Sequence, residues 1–336
     1  MELNNTPLRT SNNFNINSIN LDVNIPQNIK KFANIQVTKK IEELKENLEF
    51  KYGVGLDYSN SNNNIKINLN NNDNIKLVYN FDNENNTLIN QILINANGNS
   101  TITIEYLSNT NKECFHNGAI KLIANENAKV NINIVNFLNE ASNNFETIEN
   151  KLYKNSNVNY TIIDIGGQKS ISNYYSSIVG ENATNNVKTI YLGFENQIKD
   201  LNYIAELYGK KTNIDIDVQG AITGKAKKHF KGTIDFKKGC KKAKGNENEY
   251  CMILSEDAKA IALPMLLCSE EDVEGNHSTA SGKVDKKILF YIMSRGLSYK
   301  EAVTLLVKSN FSKIIESIKD EELKKTILKK IDEKIN

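Results

Sequence analysis

Short runs in which apolar and polar residues alternate occupy most of the chain, and they constrain the fold more than any other feature. The alternation extends from about residue 63 to residue 267. Its clearest runs are 65–69, 101–104, 130–134, 214–218 and 233–236. Each run is rich in β-branched residues and bounded by Asn or Gly, which is typical of strands. The pattern therefore predicts a mainly β region with many short strands.

The strands also recur with a loose period. Asn127, Asn155 and Asn182 each begin a polar turn before the next strand, and they lie 27 to 28 residues apart. Further turns are predicted at 239–241 and 257–259. A repeat of this length is compatible with a solenoid or a β-sandwich. In a solenoid the amide side chains of successive turns would form ladders, but periodicity alone favours neither fold.

The region before the strands has a helical pattern. From about residue 24 to residue 52, Ile41, Leu44 and Leu48 are spaced three and four apart and would share one helix face. Thr38 is a suitable N-cap, and Gly53 suits the end of a helix. We therefore expect a helical segment within residues 1–60, followed by the β region in residues 61–284.

The last part of the chain is helical as well. Asp285 can cap a helix that ends before Gly296. Ser298 and Glu301 then form a capping box for a second helix. Apolar residues at helical spacing continue after Ser312, so residues 285–336 are predicted to be a helical segment.

Composition excludes several classes of protein. Lys and Arg number 42 against 40 Asp and Glu, so the chain lacks the basic face that binds nucleic acid. No stretch approaches the ~20 apolar residues that a membrane-spanning helix needs. The first residues lack the pattern of a secretory signal. Four cysteines without a C-x-x-C pair indicate free thiols in a reducing, cytoplasmic compartment.

One segment concentrates groups that can bind metal. Residues 268–277 contain one thiol, four carboxylates and one imidazole. Thiolate and imidazole suit iron or zinc, and carboxylates can complete such a site. The candidate ligands are Cys268, Glu270, Glu271, Asp272 and His277. The Cys-x8-His spacing matches no standard zinc site, so spacing alone favours an acidic, solvated loop with a buried cysteine.

The remaining cysteines carry weaker signals. Cys251 lies in an apolar run and is predicted to be a core residue. Cys240 is surrounded by lysines that would lower its pKa, although an ordinary turn cysteine is the simpler interpretation.

A series of short motifs between residues 220 and 311 is specific enough to indicate a protein family. The motifs are 220–221, 225–227, 230–234, 254–258, 271–273, 282–285, 289–291, 294–296 and 301–302, together with Pro264 and His277. With these motifs the segment resembles the SufB/SufD family of iron–sulfur cluster assembly proteins. Residues 9–17 resemble the family's N-terminal signature more loosely. The resemblance implies a right-handed parallel β-helix with a C-terminal helical segment, which favours the solenoid over the sandwich.

The resemblance also implies a function and partners. The chain would be a scaffold, not an enzyme, that dimerises through the end of the β-helix with itself or with a SufB/SufD paralogue. Its C-terminal helices would dock on the SufC ATPase through Phe290, Tyr291, Arg295, Gly296 and Glu301. A cysteine desulfurase or another sulfur donor would supply sulfur, and apo acceptor proteins would receive the cluster.

A transient iron–sulfur cluster would be held by Cys268 and His277, with Glu271, Glu270 or Asp272 as oxygen ligands. The chain departs from the family pattern at Gly275-Asn276-His277, where typical SufD-like proteins have Cys-Ser-His. This departure resembles the shorter, single-type SufB/SufD-like proteins. A SufD-like structural partner of SufC without a cluster, and a β-helical polysaccharide-acting enzyme, are the alternatives.

Overall fold

The structure is a computed structural model that describes residues 1–10, 16–27 and 29–335. Within these residues there are twenty strands and three helices. Residues 11–15 of the segment that resembles the N-terminal signature lie outside the described residues. The N-terminal strands are β1 (Glu2–Leu3), β2 (Ile19–Asn20), β3 (Ile35–Val37) and β4 (Glu42–Glu43).

Sixteen longer strands follow, and they belong alternately to two sheets. Sheet 1 contains β6 (Asn74–Phe81), β8 (Asn99–Ser108), β10 (Lys129–Phe137), β12 (Asn157–Asp164), β14 (Thr184–Gly193), β16 (Asn213–Ile222), β18 (Ala243–Ile253) and β20 (Val273–Lys283), with β3 at one edge. Sheet 2 contains β5 (Asn63–Leu69), β7 (Thr87–Ala96), β9 (Phe115–Ala124), β11 (Asn143–Leu152), β13 (Lys169–Ile178), β15 (Ile198–Leu207), β17 (Lys227–Phe236) and β19 (Lys259–Cys268), with β4 at one edge.

From β5 to β18, each strand pairs in parallel with the strand two positions further along the chain. In sheet 1, Ile102 is aligned with Ile132, and Ile132 with Tyr160. One turn of chain therefore adds one strand to each sheet, which makes a β-solenoid of eight turns. The predicted strands are confirmed, and the solenoid is confirmed against the sandwich.

Both faces of each sheet are covered by other parts of the chain, so the strands have buried residues on both faces. The inner faces enclose one long apolar core that includes Ile104, Ile132 and Ile216. The outer face of sheet 1 packs against the C-terminal helices. Ile190 of the sheet and Phe311 of the helices belong to the same buried apolar cluster. The outer face of sheet 2 packs against N-terminal apolar residues, which are Leu3, Ile19, Leu21, Val54 and Leu56. Strands of parallel sheets that are covered on both faces typically contain near-continuous apolar runs, so strict alternation is not expected in every strand.

The predicted asparagine turns are confirmed, and their backbone explains the residue type. Asn127, Asn155 and Asn182 have φ values of 62°, 55° and 57°. This left-handed region is tolerated by Asn better than by most residues. The amide of Asn155 donates to Asn127 at 3.0 Å, and that of Asn182 donates to Asn155 at 3.2 Å. The side chains thus form the expected ladder between turns.

The predicted N-terminal helix is wrong. Residues 24–27 and 29–52 contain strands β3 and β4 and no helix. Both strands pair antiparallel with the first turn, β3 with β6 and β4 with β5. Phe32 closes the core there, with its ring 5.1 Å from that of Phe81. Unpaired backbone groups at a sheet edge gain more from this pairing than a helix offers.

The C-terminal helices agree with the prediction. They are α1 (Lys286–Ser294), α2 (Tyr299–Glu316) and α3 (Glu321–Ile335). Asp285 caps α1, and Ser298 with Glu301 forms the capping box of α2. Helix α2 continues through Ser312, where a new helix was expected to begin, and the break follows at residues 317–320. None of the described helices combines the length and apolar character required to cross a membrane.

Candidate functional site

The two ends of the solenoid differ. The first turn is covered by β3 and β4, whereas β19 and β20 form the last edges of their sheets. Most residues of β20 are exposed, and β19 exposes two large apolar side chains, Ile261 at 38% and Leu266 at 37%. An uncovered edge with apolar side chains is suited to pairing with another chain. We call β19, β20 and the connection between them the open end.

The thiol of Cys268 lies at this open end. Cys268 is the last residue of β19, it is aligned with Phe236 of the turn below, and it is exposed. Spacing alone predicts a buried cysteine in an acidic loop, and the burial of this cysteine is therefore wrong. The thiol donates a hydrogen bond to the carbonyl oxygen of Glu270 at 2.9 Å. The site is thus open to solvent and to a second molecule.

The acidic residues of the connection have different environments. The carboxylate of Glu270 accepts a hydrogen bond from the backbone N–H of Gly239 at 2.9 Å. This hydrogen bond holds the pKa of Glu270 below its usual value. Glu271 and Asp272 are exposed. The carboxylate of Glu270 therefore helps to order the connection. The carboxylates of Glu271 and Asp272 have no hydrogen-bond partner among the described residues.

His277 lies on the exposed edge strand β20, in the other sheet from Cys268. Its backbone is aligned with Glu247 of β18, one turn below. Within the described residues, no three His, Cys, Asp or Glu side chains are close enough to hold a metal ion in one chain. The structure therefore places the thiol and the imidazole at the same end of the solenoid without joining them into one cluster of ligands.

A charged group inside the solenoid, just below the open end, was missed by the sequence analysis. The ammonium of Lys228 lies 2.7 Å from the carboxylate of Glu249, and both side chains are fully buried. The hydroxyl of Tyr191 donates to the same carboxylate at 2.9 Å. Gly220 provides the space, because a Cβ there would lie 1.8 Å from the tyrosine ring.

A second buried acid lies two residues from this group. Glu247 is fully buried, and burial followed by the charge of Glu249 raises the pKa of Glu247 to about 8. The only sequence signal was that Glu247 and Glu249 share one face of a strand with Ala243 and Cys251. Polar residues lie on both faces of that strand, so alternation alone cannot identify the inner face.

Helix α1 presents an apolar surface that packs against little of the chain. It has no buried residue, and its exposed side chains include Ile288 at 50%, Phe290 at 74%, Tyr291 at 58% and Met293 at 38%. Ile288 and Tyr291 lie three apart on one side of the helix, and Phe290 and Met293 lie three apart on another. We call these four residues the α1 apolar surface. Such a concentration of exposed large apolar residues is typical of a protein–protein contact.

The other residues predicted to bind a partner follow this surface in the chain. The guanidinium of Arg295 lies 5.1 Å from the ring centroid of Tyr291 and donates to its hydroxyl at 3.0 Å. Gly296 ends the helix with a φ of 98°. The carboxylate of Glu301 accepts a hydrogen bond from the backbone N–H of Ser298 at 2.8 Å. Gly296 and Glu301 thus have structural roles that set the direction of α1 relative to α2.

The remaining cysteines are buried. Cys251 is a core residue as predicted, and burial raises its pKa to about 11. Burial, and then the charge of Glu270, also raise the pKa of Cys240. The idea that neighbouring lysines activate Cys240 is therefore wrong, because its thiol is inside the turn and the lysine charges are outside.

Comparisons with known proteins match most of the sequence of the solenoid. Residues 79–310 match the core domain described as "SUF system FeS cluster assembly, SufBD core domain". The chain is 25% identical over 265 residues to the iron–sulfur cluster assembly protein SufD of Bacillus subtilis, covering 78% of this chain and 61% of that protein. It is 22% identical over 171 residues to SufD of Escherichia coli, covering 51% and 40% of the two chains.

A third relative is an iron–sulfur cluster assembly SufBD family protein of Pyrococcus horikoshii. It is 28% identical over 205 residues, which cover 60% of this chain and 46% of that protein. The chain therefore spans at most 61% of the length of these three relatives.

Proposed function

We propose that this chain, which belongs to the SufB/SufD family of iron–sulfur cluster assembly proteins, is a scaffold. A cluster would be built on it. The cluster is the cargo and is held between the open ends of two chains, either two copies or one copy and a SufB/SufD paralogue. A cysteine desulfurase or another sulfur donor supplies sulfur, and apo acceptor proteins receive the product. In this proposal the chain works in the cytoplasm and catalyses no reaction by itself.

The exposure of Cys268 at the open end is the observation that carries this proposal. A thiolate binds iron and sulfide, and it must be accessible to do so. The edges of β19 and β20 are the part of the solenoid best suited to pairing. Pairing about a two-fold axis would present each thiol and each imidazole twice, so two ligands per chain become four.

The α1 apolar surface supports the second half of the proposal, which is docking on a SufC-type ATPase. The side chains of Phe290 and Tyr291 are large, exposed and adjacent, as in the central residues of protein interfaces. The capping box at Ser298 and Glu301 fixes the start of α2 and therefore the position of α1. ATP-driven movement of the partner would then be transmitted along the helices to the solenoid.

Anaerobic reconstitution with iron and sulfide tests the scaffold role. We expect wild-type protein to take up a cluster with visible absorption, and Cys268→Ala and His277→Ala each to lower the yield several-fold. Ser269→Ala, next to the thiol, is the matched control and should retain the wild-type yield. Unchanged yield and spectrum in both ligand variants would reject these ligands.

Co-purification with the ATPase tests the docking surface separately. Phe290→Ala combined with Tyr291→Ala should abolish the complex, whereas Lys286→Ala on the same helix should not. A chain that binds the ATPase but takes up no cluster would instead be a SufD-like structural partner. The names of two relatives, both SufD, give that second candidate its support.

A further inference from the structure

An unpartnered carboxylate lies inside the solenoid, one turn below the open end. Glu247 is fully buried, and neither of its carboxylate oxygens has a hydrogen-bond partner among the residues that the structure describes. The neighbouring Glu249 is different, because Lys228 lies 2.7 Å from its Oε1 and leaves only Oε2 without a partner in the described part of the chain. A buried polar group without a partner requires an explanation, and a bound ion is one of those known in proteins.

The surroundings of this carboxylate provide space but no donor. Gly232 of β17 lies across the core in the opposite sheet of the same turn, and a Cβ at that position would be 2.1 Å from Glu247 Oε2. The residue aligned with Gly232 in the last turn is Pro264, which has no backbone N–H. Any larger residue at 232 would displace the carboxylate, and residue 264 cannot donate a backbone hydrogen bond to it.

His277 provides a nitrogen ligand on the strand next to Glu247. Its backbone is aligned with Glu247, and adjacent strands are ~4.8 Å apart. Gly275, two residues earlier, faces the interior, because a Cβ there would lie 2.9 Å from Phe236 and 3.0 Å from Leu266. Residues two apart in a strand share a face, so His277 faces the interior above Glu247. Its side chain is nevertheless exposed, because no strand follows β20.

We propose that Glu247 and His277 form a binding site for a divalent transition-metal ion at the open end of the solenoid. The imidazole binds from the last turn, and the carboxylate binds from the turn below. The ion enters from the exposed side of His277, and water or a second chain fills its remaining coordination positions. An imidazole and a carboxylate are both suitable ligands for iron(II), cobalt(II) or zinc(II).

This inference deepens the proposed function, because it assigns the oxygen ligand of the metal cargo to Glu247 instead of Glu270, Glu271 or Asp272. The carboxylate of Glu270 is already held by Gly239, and the other two acids are in the solvent-exposed connection. Glu247 is fully buried, whereas Glu271 and Asp272 are exposed.

Titration with cobalt(II) alone tests the site, since its visible d–d absorption reports the ligands without sulfide, nucleotide or a partner ATPase. We expect one ion per chain. Glu247→Gln and His277→Gln should each raise the dissociation constant by at least ~10-fold. Glu274→Gln, which removes an exposed acid of the same strand as His277, is the matched control and should bind cobalt as the wild type does.

Circular dichroism of each variant shows whether it folds. Because His277 is exposed at an edge, His277→Gln tests the site even if Glu247→Gln is unstable. Absence of cobalt binding by the wild type, or wild-type affinity in either variant, would overturn the inference. A chain that binds cobalt through both residues but takes up no iron–sulfur cluster would keep this site and lose the scaffold role.

Discussion

Replacing Lys228 with Met should strongly destabilise the protein. The Lys228 ammonium and the Glu249 carboxylate are fully buried, 2.7 Å apart, so removing the cation leaves an uncompensated charge in the core. Breaking a buried pair in this way costs ~3–5 kcal/mol. The hydroxyl of Tyr191 still donates to Glu249 in the variant, which places the expected loss near ~3 kcal/mol, the lower limit of that range.

Urea unfolding followed by circular dichroism measures this loss. The double variant Lys228→Met, Glu249→Gln should return to within ~1 kcal/mol of the wild type, because an amide keeps the acceptor for Tyr191 and removes the charge. Lys244→Met, which breaks an exposed pair with Glu274, should cost no more than ~1 kcal/mol. If Lys228→Met loses less than ~1 kcal/mol, or if the double variant is as unstable as the single one, the argument from buried charge fails.

Three further predictions concern stability. Asn155→Gly keeps the left-handed turn but loses the amide ladder, which should lower the free energy of unfolding by about 1 kcal/mol. Asn155→Ala should lower it by ~1 kcal/mol more, because alanine is strained in the left-handed region. The midpoints of urea unfolding distinguish the two variants. Burial raises the pKa of Glu146 to about 8 from 4.5, so the folded protein holds a proton that the unfolded chain has released, and stability falls as pH rises towards 8. Glu146→Gln should reduce that fall by up to ~1.4 kcal/mol per pH unit between pH 6.5 and 8, measured by urea unfolding at each pH. Phe32→Ala should cost about 3 kcal/mol and should accelerate amide exchange in the first turn while leaving the last turn unchanged.

The strands, the asparagine turns and the caps of α1 and α2 follow from local sequence, because each depends on residues close together in the chain. The alternation at 65–69 and the capping box at Ser298 and Glu301 are examples. The solenoid itself did not follow from periodicity, because a sandwich has the same alternation, and the family resemblance was needed to decide.

The prediction of an N-terminal helix is wrong because it, too, rests on a local pattern. The spacing of Ile41, Leu44 and Leu48 is helical, but only Leu44 is buried. The decisive interaction of this segment is the pairing of β4 with β5, and such pairing across the chain leaves no local signal. Tertiary pairing therefore overrode a weak helical pattern.

The candidate site was only partly predictable. Cys268 and His277 stood out by residue type, but their separation into two sheets depends on how β19 and β20 enter the solenoid. Glu247 was not recognised, because its relation to His277 requires the register between strands 30 residues apart. Register across turns is fixed by the length of every turn, which no single motif contains.

The difference between the two ends of the solenoid limits how large an assembly can grow. A rod with two uncovered ends can add subunits at both and extend into a fibre. At the first turn of this rod the long parallel edges are covered by the antiparallel strands β3 and β4, which have only three and two residues and leave little edge for another copy. In the proposed pairing through the last turns, each chain would use its long uncovered edges, and growth would stop at two molecules.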